Sequence, residues 1–286
     1  MTSPVLMSGV SALDRAIPVE QVSEIDSSEK TAILGTVWGH TLAQDGTGFY
    51  NELMAAMLAH DGADTEYKLQ PYRRATTAFK NDQNTCLFPS ARSVLSAAGG
   101  YDEAYVESDP LFLAQEYLFA RNGHTPPSSL EDLKGKTVAV PHGSILFKLL
   151  AGAGAELISV HNETDKAQML LSGRVDLMSG MLPNEHIIAS ELGTSMPSYD
   201  RTFPLLDAGV SVVCHDNAAG RDLIKRLNVV IAHLQADKSF RETLASAGVV
   251  ESHALSAADL NSLAPAAGQK LRFVHPGRRL PFSNIR

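Results

Sequence analysis

Short apolar runs alternate with longer stretches of helical periodicity, and most boundaries between them carry glycine or a polar residue. "TAILGTVWG" (31–39) predicts a first strand. After the loop "AQDGTG", "FYNELMAAMLAHDG" predicts a helix closed by Gly62. "EYKLQPY" returns as a strand, "RRATTAFKND" suits a helix, and "TCLFPS" is a short buried strand. "EYLFAR" (116–121) is another strand, followed by the linker "NGHTPPSS". At Ser128-Ser129-Leu130-Glu131 the spacing is that of a capping box, in which a hydroxyl takes a backbone amide and the glutamate reaches back.

From there the pattern sharpens. A strand over 137–140 turns at Pro141-His142-Gly143 and meets Ser144, which opens a helix from about 145. The strand "ELISV" (156–160), a helix in "TDKAQMLLSG" and a strand in "RVDLM" follow. This β-α-β-α-β order with short connections predicts parallel strands and right-handed crossovers. "GVSVVCH" (209–215) is one more strand, and Leu223, Leu227, Val230, Ile231 and Leu234 share one face of a long helix. "DKSFRETLASAG" is a further helical piece ending at Gly248. Residues 1–30 form a polar N-terminal arm. Residues 251–286, with the basic tail "HPGRRLPFSNIR", are an ordered strap or a loose end.

Composition narrows the function classes. With 286 residues, 44% hydrophobic and 20% charged, the chain is an ordinary globular protein of one large or two moderate domains. The net charge is −8 and no basic block occurs, which excludes a nucleic-acid partner. No apolar run is long enough to span a membrane. The N-terminal segment has neither a basic n-region nor a continuous apolar h-region. It does not read as a signal peptide, so the protein is cytosolic or its export signal is absent from this chain. Cys86 and Cys214 read first as two free buried thiols, with one disulfide in an oxidising compartment as the alternative. No zinc, P-loop or nucleophile-elbow motif occurs, so no metal and no cofactor is expected.

"SSLEDLKGKTVAVPHGS", followed by "AQMLLSGRVDLMSG", resembles bacterial extracellular solute-binding proteins of the type 2 periplasmic-binding fold, in the branch that includes amino-acid binders. "DGTGFYNELMAAM", "PYRRATTAFKNDQNTCLFPSAR", "YVESDPLFLAQEYLFAR" and the segment from "GVSVVCHDN" to "ASAG" resemble other parts of that family in the same order, over about residues 31–250. The resemblance implies an α/β, two-lobe fold, each lobe a mostly parallel sheet flanked by helices. Lobe 1 would be discontinuous (31–120 plus 210–286) and lobe 2 would be 121–209. The crossings would lie near "FARNG" and "LLDAG", and hinge closure would bury a ligand in the cleft. It implies an extracytoplasmic or periplasmic monomer that captures a small polar, carboxylate-bearing ligand. The partner would be an ABC transporter permease or a membrane sensor.

The candidate ligand residues are Trp38, Tyr72, Arg92, Ser108 and Ser144. Ser144 follows a strand's C-terminal end at a helix start, where free amides favour anions; its alternative role is a plain N-cap. Arg92 can grip a carboxylate in a fork, or pair at the surface. Trp38 and Tyr72 can stack on a ligand or pack in the core. Ser108 matches the family's Ser-x-Pro serine, and Arg74 is a weaker candidate. Two positions depart from the amino-acid binders: the usual ligand arginine is Ser96 and the usual ammonium-pairing aspartate is Met181, while Asp176 reads as structural. An amino acid would then need Arg92 and Glu185 as substitutes. The other readings are a dehydratase for chorismate- or prephenate-like acids, using Glu185 and His186, and a binding-dead interaction module.

Overall fold

The computed structural model describes residues 31–61, 65–98 and 105–246. The expected arm, the tail and the helix stops at Gly62 and Gly248 lie outside the described residues.

The first sheet is built from β1 (Ala32–Val37), β2 (Glu66–Pro71), β3 (Thr85–Ser90), β4 (Tyr105–Glu107) and a late strand, β11 (Ser211–His215). Its order is β2-β1-β3-β11-β4. The β1 pairs with β2 and β3 are parallel, and those of β11 with β3 and β4 are antiparallel. Strand sequence explains the layering. Alternate residues point to opposite faces, and here both faces are apolar. Ile33, Cys86, Phe88, Val212 and Cys214 join a core with helix α1 (Phe49–Asp61) and helix α7 (Ala218–Ala236). Leu34, Leu87 and Val213 face the other way, onto helix α2 (Tyr72–Asn81) and helix α3 (Arg92–Ala98). The face expected for the long helix is the one α7 buries.

The second sheet has six strands: β5 (Leu113–Ala120), β6 (Thr137–Pro141), β7 (Glu156–Val160), β8 (Leu177–Leu182), β9 (Ser198–Tyr199) and β10 (Leu206–Gly209). The order is β10-β5-β8-β6-β7, with β9 also on β5. β6 runs parallel to β7 and β8, as the β-α-β-α-β pattern predicts, and β5 runs antiparallel to β8 and β10. Both sheets therefore have parallel strands on one side and antiparallel pairing on the other. Val138 and Val140 pack on one face and Ala139 on the other, the latter with α5 (Glu163–Leu171) and α6 (Asn184–Glu191). Two short segments carry the chain between sheets, one before β5 and one between β10 and β11.

Three local expectations change. The helix after Ser144 is a single turn, α4 (Leu146–Leu149), ended by a segment with Gly152 and Gly154. The carboxylate that reaches back at the linker belongs to Asp132, not Glu131. It accepts the amides of Ser128 at 2.9 Å and Ser129 at 3.0 Å, because the element that forms is a 3-10 turn over Glu131–Leu133. The cysteines are not free thiols. Cys86 and Cys214 face each other on the adjacent antiparallel strands β3 and β11, their Cα atoms 4.2 Å apart, and form a disulfide. Their separation of 128 residues concealed that pairing.

Candidate ligand-binding cavity

A cavity of about 400 Å³ lies between the two sheets. Its first wall is the C-terminal ends of β1, β2 and β3; its second comes from β6, β8 and the starts of α5 and α6. Ligand sites in open α/β sheets gather at such strand ends, where backbone groups leave the ladder and loops diverge.

The chain after β1 turns sharply, with Gly39 and Leu42 bridged across it. Gly39 has φ 142°, and a Cβ there would sit 3.1 Å from the backbone nitrogen of Glu163. Glycine thus lets this loop touch the opposite lobe. Contact is made by Thr41. Its amide donates to Glu163 Oε2 at 3.0 Å, and its hydroxyl, 2.8 Å from both carboxylate oxygens, donates to the same group. Trp38 Nε1 donates to the Thr41 hydroxyl at 2.8 Å. Asn184 Nδ2 donates to Glu163 Oε1 at 2.6 Å, and Tyr50 donates to Asn184 Oδ1 at 2.7 Å. Glu163 is the first residue of α5, and the preceding Asn162 caps the helix. Burial, followed by Glu163 and Glu116, holds the Tyr50 hydroxyl well above its usual pKa, so it remains a donor. This buried network latches the lobes together.

Deeper in, Lys166 of α5 donates to Glu185 Oε1 of α6 at 2.6 Å; both side chains are at most 3% exposed. Burial works against the Lys166 ammonium, but Glu185 and Glu116 outweigh it and raise its pKa. Burial likewise pushes the Glu185 carboxyl up, with Lys166 opposing. Glu116 of β5 stands beside this pair. Burial, against the pull of Lys166 and with the repulsion of Glu185, lifts its pKa to about 7. At the other end, Tyr72 and Arg73 face the turn at Gly143 across the cleft, and His142 and His161 lie with ring centroids 4.5 Å apart. Arg73 has no ion-pair partner among the described residues. No group of three or more His, Cys, Asp and Glu among those residues could hold a metal ion.

Three of the five candidate ligand residues, Trp38, Tyr72 and Ser144, line the cavity. The Trp38 ring also packs edge-on against Tyr50, with centroids 5.2 Å apart. The Ser144 hydroxyl accepts the Leu146 amide at 3.2 Å. Arg92 and Ser108 are outside the lining. Burial raises the Glu107 carboxyl, and the amide and charge of Arg92 work against that rise. Ser108 Oγ accepts the Val212 amide at 3.0 Å and donates to the Asp109 carbonyl, tying the strands together. Asp176 accepts the amide and hydroxyl of Thr137, a bond between β6 and the start of β8. Met181 lines the cavity and Ser96 does not. Sequence reading missed Glu116, Lys166, Glu163 and Arg73. Glu116 and Lys166 were the legible ones: each interrupts the apolar face of a predicted core element.

Two α/β lobes on either side of a cleft are the arrangement of the periplasmic-binding-protein-like fold, and solved structures agree. A histidine kinase sensor domain with similarity to periplasmic binding proteins matches at 19% identity and TM-score 0.61, over 78% of this chain and 96% of that one. The GluR0 ligand-binding core in complex with L-glutamate matches at 20% identity and TM-score 0.61, over 77% and 98%. An ancestral amino acid-binding protein, a precursor of cyclohexadienyl dehydratase, matches at 16% identity and TM-score 0.57, over 77% and 96%. No protein-family model and no curated protein matches the chain.

Proposed function

We infer that the chain is an extracytoplasmic solute-binding protein. It captures a small polar ligand between its lobes and presents it, as a monomer, to an ABC-type permease or a membrane sensor. The observation that carries this reading is the interlobe cavity of about 400 Å³ whose wall combines apolar rings with buried charge. That combination suits a small solute, since apolar walls exclude water and a few placed polar groups orient what is bound. The lobes would divide by sheet: the first crossing would fall before β5 (Leu113–Ala120), which pairs within the second sheet, and not near residue 120 as the sequence suggested, while the return crossing would stay near 210. A carboxylate on the ligand would meet Arg73, the cavity cation with no ion pair among the described residues, beside Ser144 and Tyr72. Lys166 is already engaged by Glu185. The disulfide favours an oxidising compartment, and no helix among the described residues is long and apolar enough to cross a membrane.

A thermal-shift screen of the full chain against dicarboxylates, amino acids, aromatic acids, polyamines and sugars tests this. A ligand at about a hundred times its Kd adds roughly 2.7 kcal/mol and raises Tm clearly. A flat response across the panel counts against solute capture. A second reading, a dehydratase on the same scaffold, rests on Glu116, whose pKa of about 7 suits a general acid. Conversion of a prephenate-like acid to an aromatic keto acid, with loss of water and carbon dioxide, on incubation with the protein would support it, and unchanged substrate at high protein concentration would remove it.

A further inference from the structure

On the capture reading above, the solute meets a cavity floor with more acid than base. Glu116, Glu163 and Glu185 line it, against the single buried cation Lys166. Glu163 is spent on Thr41 and Asn184. Lys166 reaches only Oε1 of Glu185. Glu185 Oε2 is buried and has no hydrogen-bond partner among the described residues, although the side chain is only 1% exposed. Such an oxygen is costly to leave unmatched. Its position is nonetheless built into the backbone: a Cβ on Gly180 would lie 2.2 Å from Glu185 Oε1, so glycine on β8 makes room for the carboxylate. Glu116, 6% exposed, adds a second carboxyl to the same wall.

We propose that Glu116 and the unpaired oxygen of Glu185 form a subsite for a positively charged nitrogen group of the solute, an ammonium or amidinium, with Lys166 positioning Glu185. The proposal needs the capture reading and adds the sign of charge at one end of the ligand. A cation arriving here supplies the missing donor to Oε2 and favours the ionised form of Glu116. The titratable groups that face Glu116 are Lys166, which draws its proton off, and Glu185, which holds it on; Tyr50 stands on the α1 side, and Glu163 beyond Lys166. Its strand neighbours in register, Met181 and Leu206, are uncharged. Cation binding therefore expels a proton from Glu116 and strengthens as pH rises through about 7.

Isothermal titration of the full chain with 1,4-diaminobutane, 4-guanidinobutylamine and L-arginine, with glutarate and glucose as anionic and neutral counterparts, tests this. Runs at pH 6 and pH 8, in buffers of different ionisation enthalpy, also count protons without any variant. The expected result is binding of at least one cationic compound, with proton release and affinity about tenfold higher at pH 8. Glu116→Gln should weaken it roughly ten- to a hundredfold and abolish the pH response. Binding confined to glutarate or glucose, or cation binding with neither proton release nor sensitivity to Glu116→Gln, overturns the subsite and leaves solute capture standing. No binding of any compound overturns both.

Discussion

Glu116 shows how one side chain's environment sets a property of the protein. The carboxyl has an ordinary pKa of 4.5 when unfolded and about 7 when folded. Between those values the folded state holds a proton that the unfolded state has lost. The ligand-free protein therefore loses stability as pH rises from about 4.5 to about 7, by roughly 3 kcal/mol, and this contribution is flat outside that window. Urea unfolding across pH 4 to 8 should show the slope in the wild type and a flatter profile in Glu116→Gln. An unchanged slope in the variant would mean that other groups carry it. The sequence offered a signal here, a glutamate inside the apolar run "EYLFA", but its meaning depends on Lys166 and Glu185, which are distant in the chain.

At the scale of elements, the strand ladders and the disulfide define the first lobe. Cys86 and Cys214 are register partners on β3 and β11, so their bond closes a loop across the excursion of the chain through the second sheet. By loop-closure entropy a crosslink over more than a hundred residues is worth about 4–5 kcal/mol, an upper value when the reduced chain keeps residual structure. Paired replacement of both cysteines by alanine should lower Tm and the denaturation midpoint while leaving the far-ultraviolet circular dichroism unchanged. Reductant should do the same to the wild type and nothing further to the variant. Most of the elements at this scale were legible: periodicity placed β1, β3, β6, β7 and α7 because each is long enough to repeat its pattern. The single-turn α4 and the caps at Asp132 were not, since competition among neighbouring carboxylates and glycines decides such short elements.

For the whole molecule, the contact of Thr41 with Glu163, extended by Asn184 and Tyr50, opposes opening of the cleft. The latch comes from the protein's own carboxylate, so closure does not wait for a ligand. Removing it with Glu163→Ala should shift the ligand-free population toward open forms, seen as a larger radius of gyration in solution scattering. The same variant should compact again on adding whichever compound raises the wild-type Tm. A wild type that is already extended, and does not respond to the substitution, would show that the contact is too weak to set the equilibrium.

The sequence by itself determined the α/β class, the parallel order around β6, the buried face of α7 and the placing of Trp38, Tyr72 and Ser144 at strand or helix ends. These follow from local periodicity and from where apolar runs stop, and both are written in neighbouring residues. Only the tertiary structure decided that Cys86 meets Cys214, that Arg92 and Ser108 are not among the cavity-lining residues, and that Glu116, Lys166 and Glu185 form one buried cluster. Those facts depend on distances between segments far apart in the chain, and on a low-dielectric interior that gives each charge its cost and its partner.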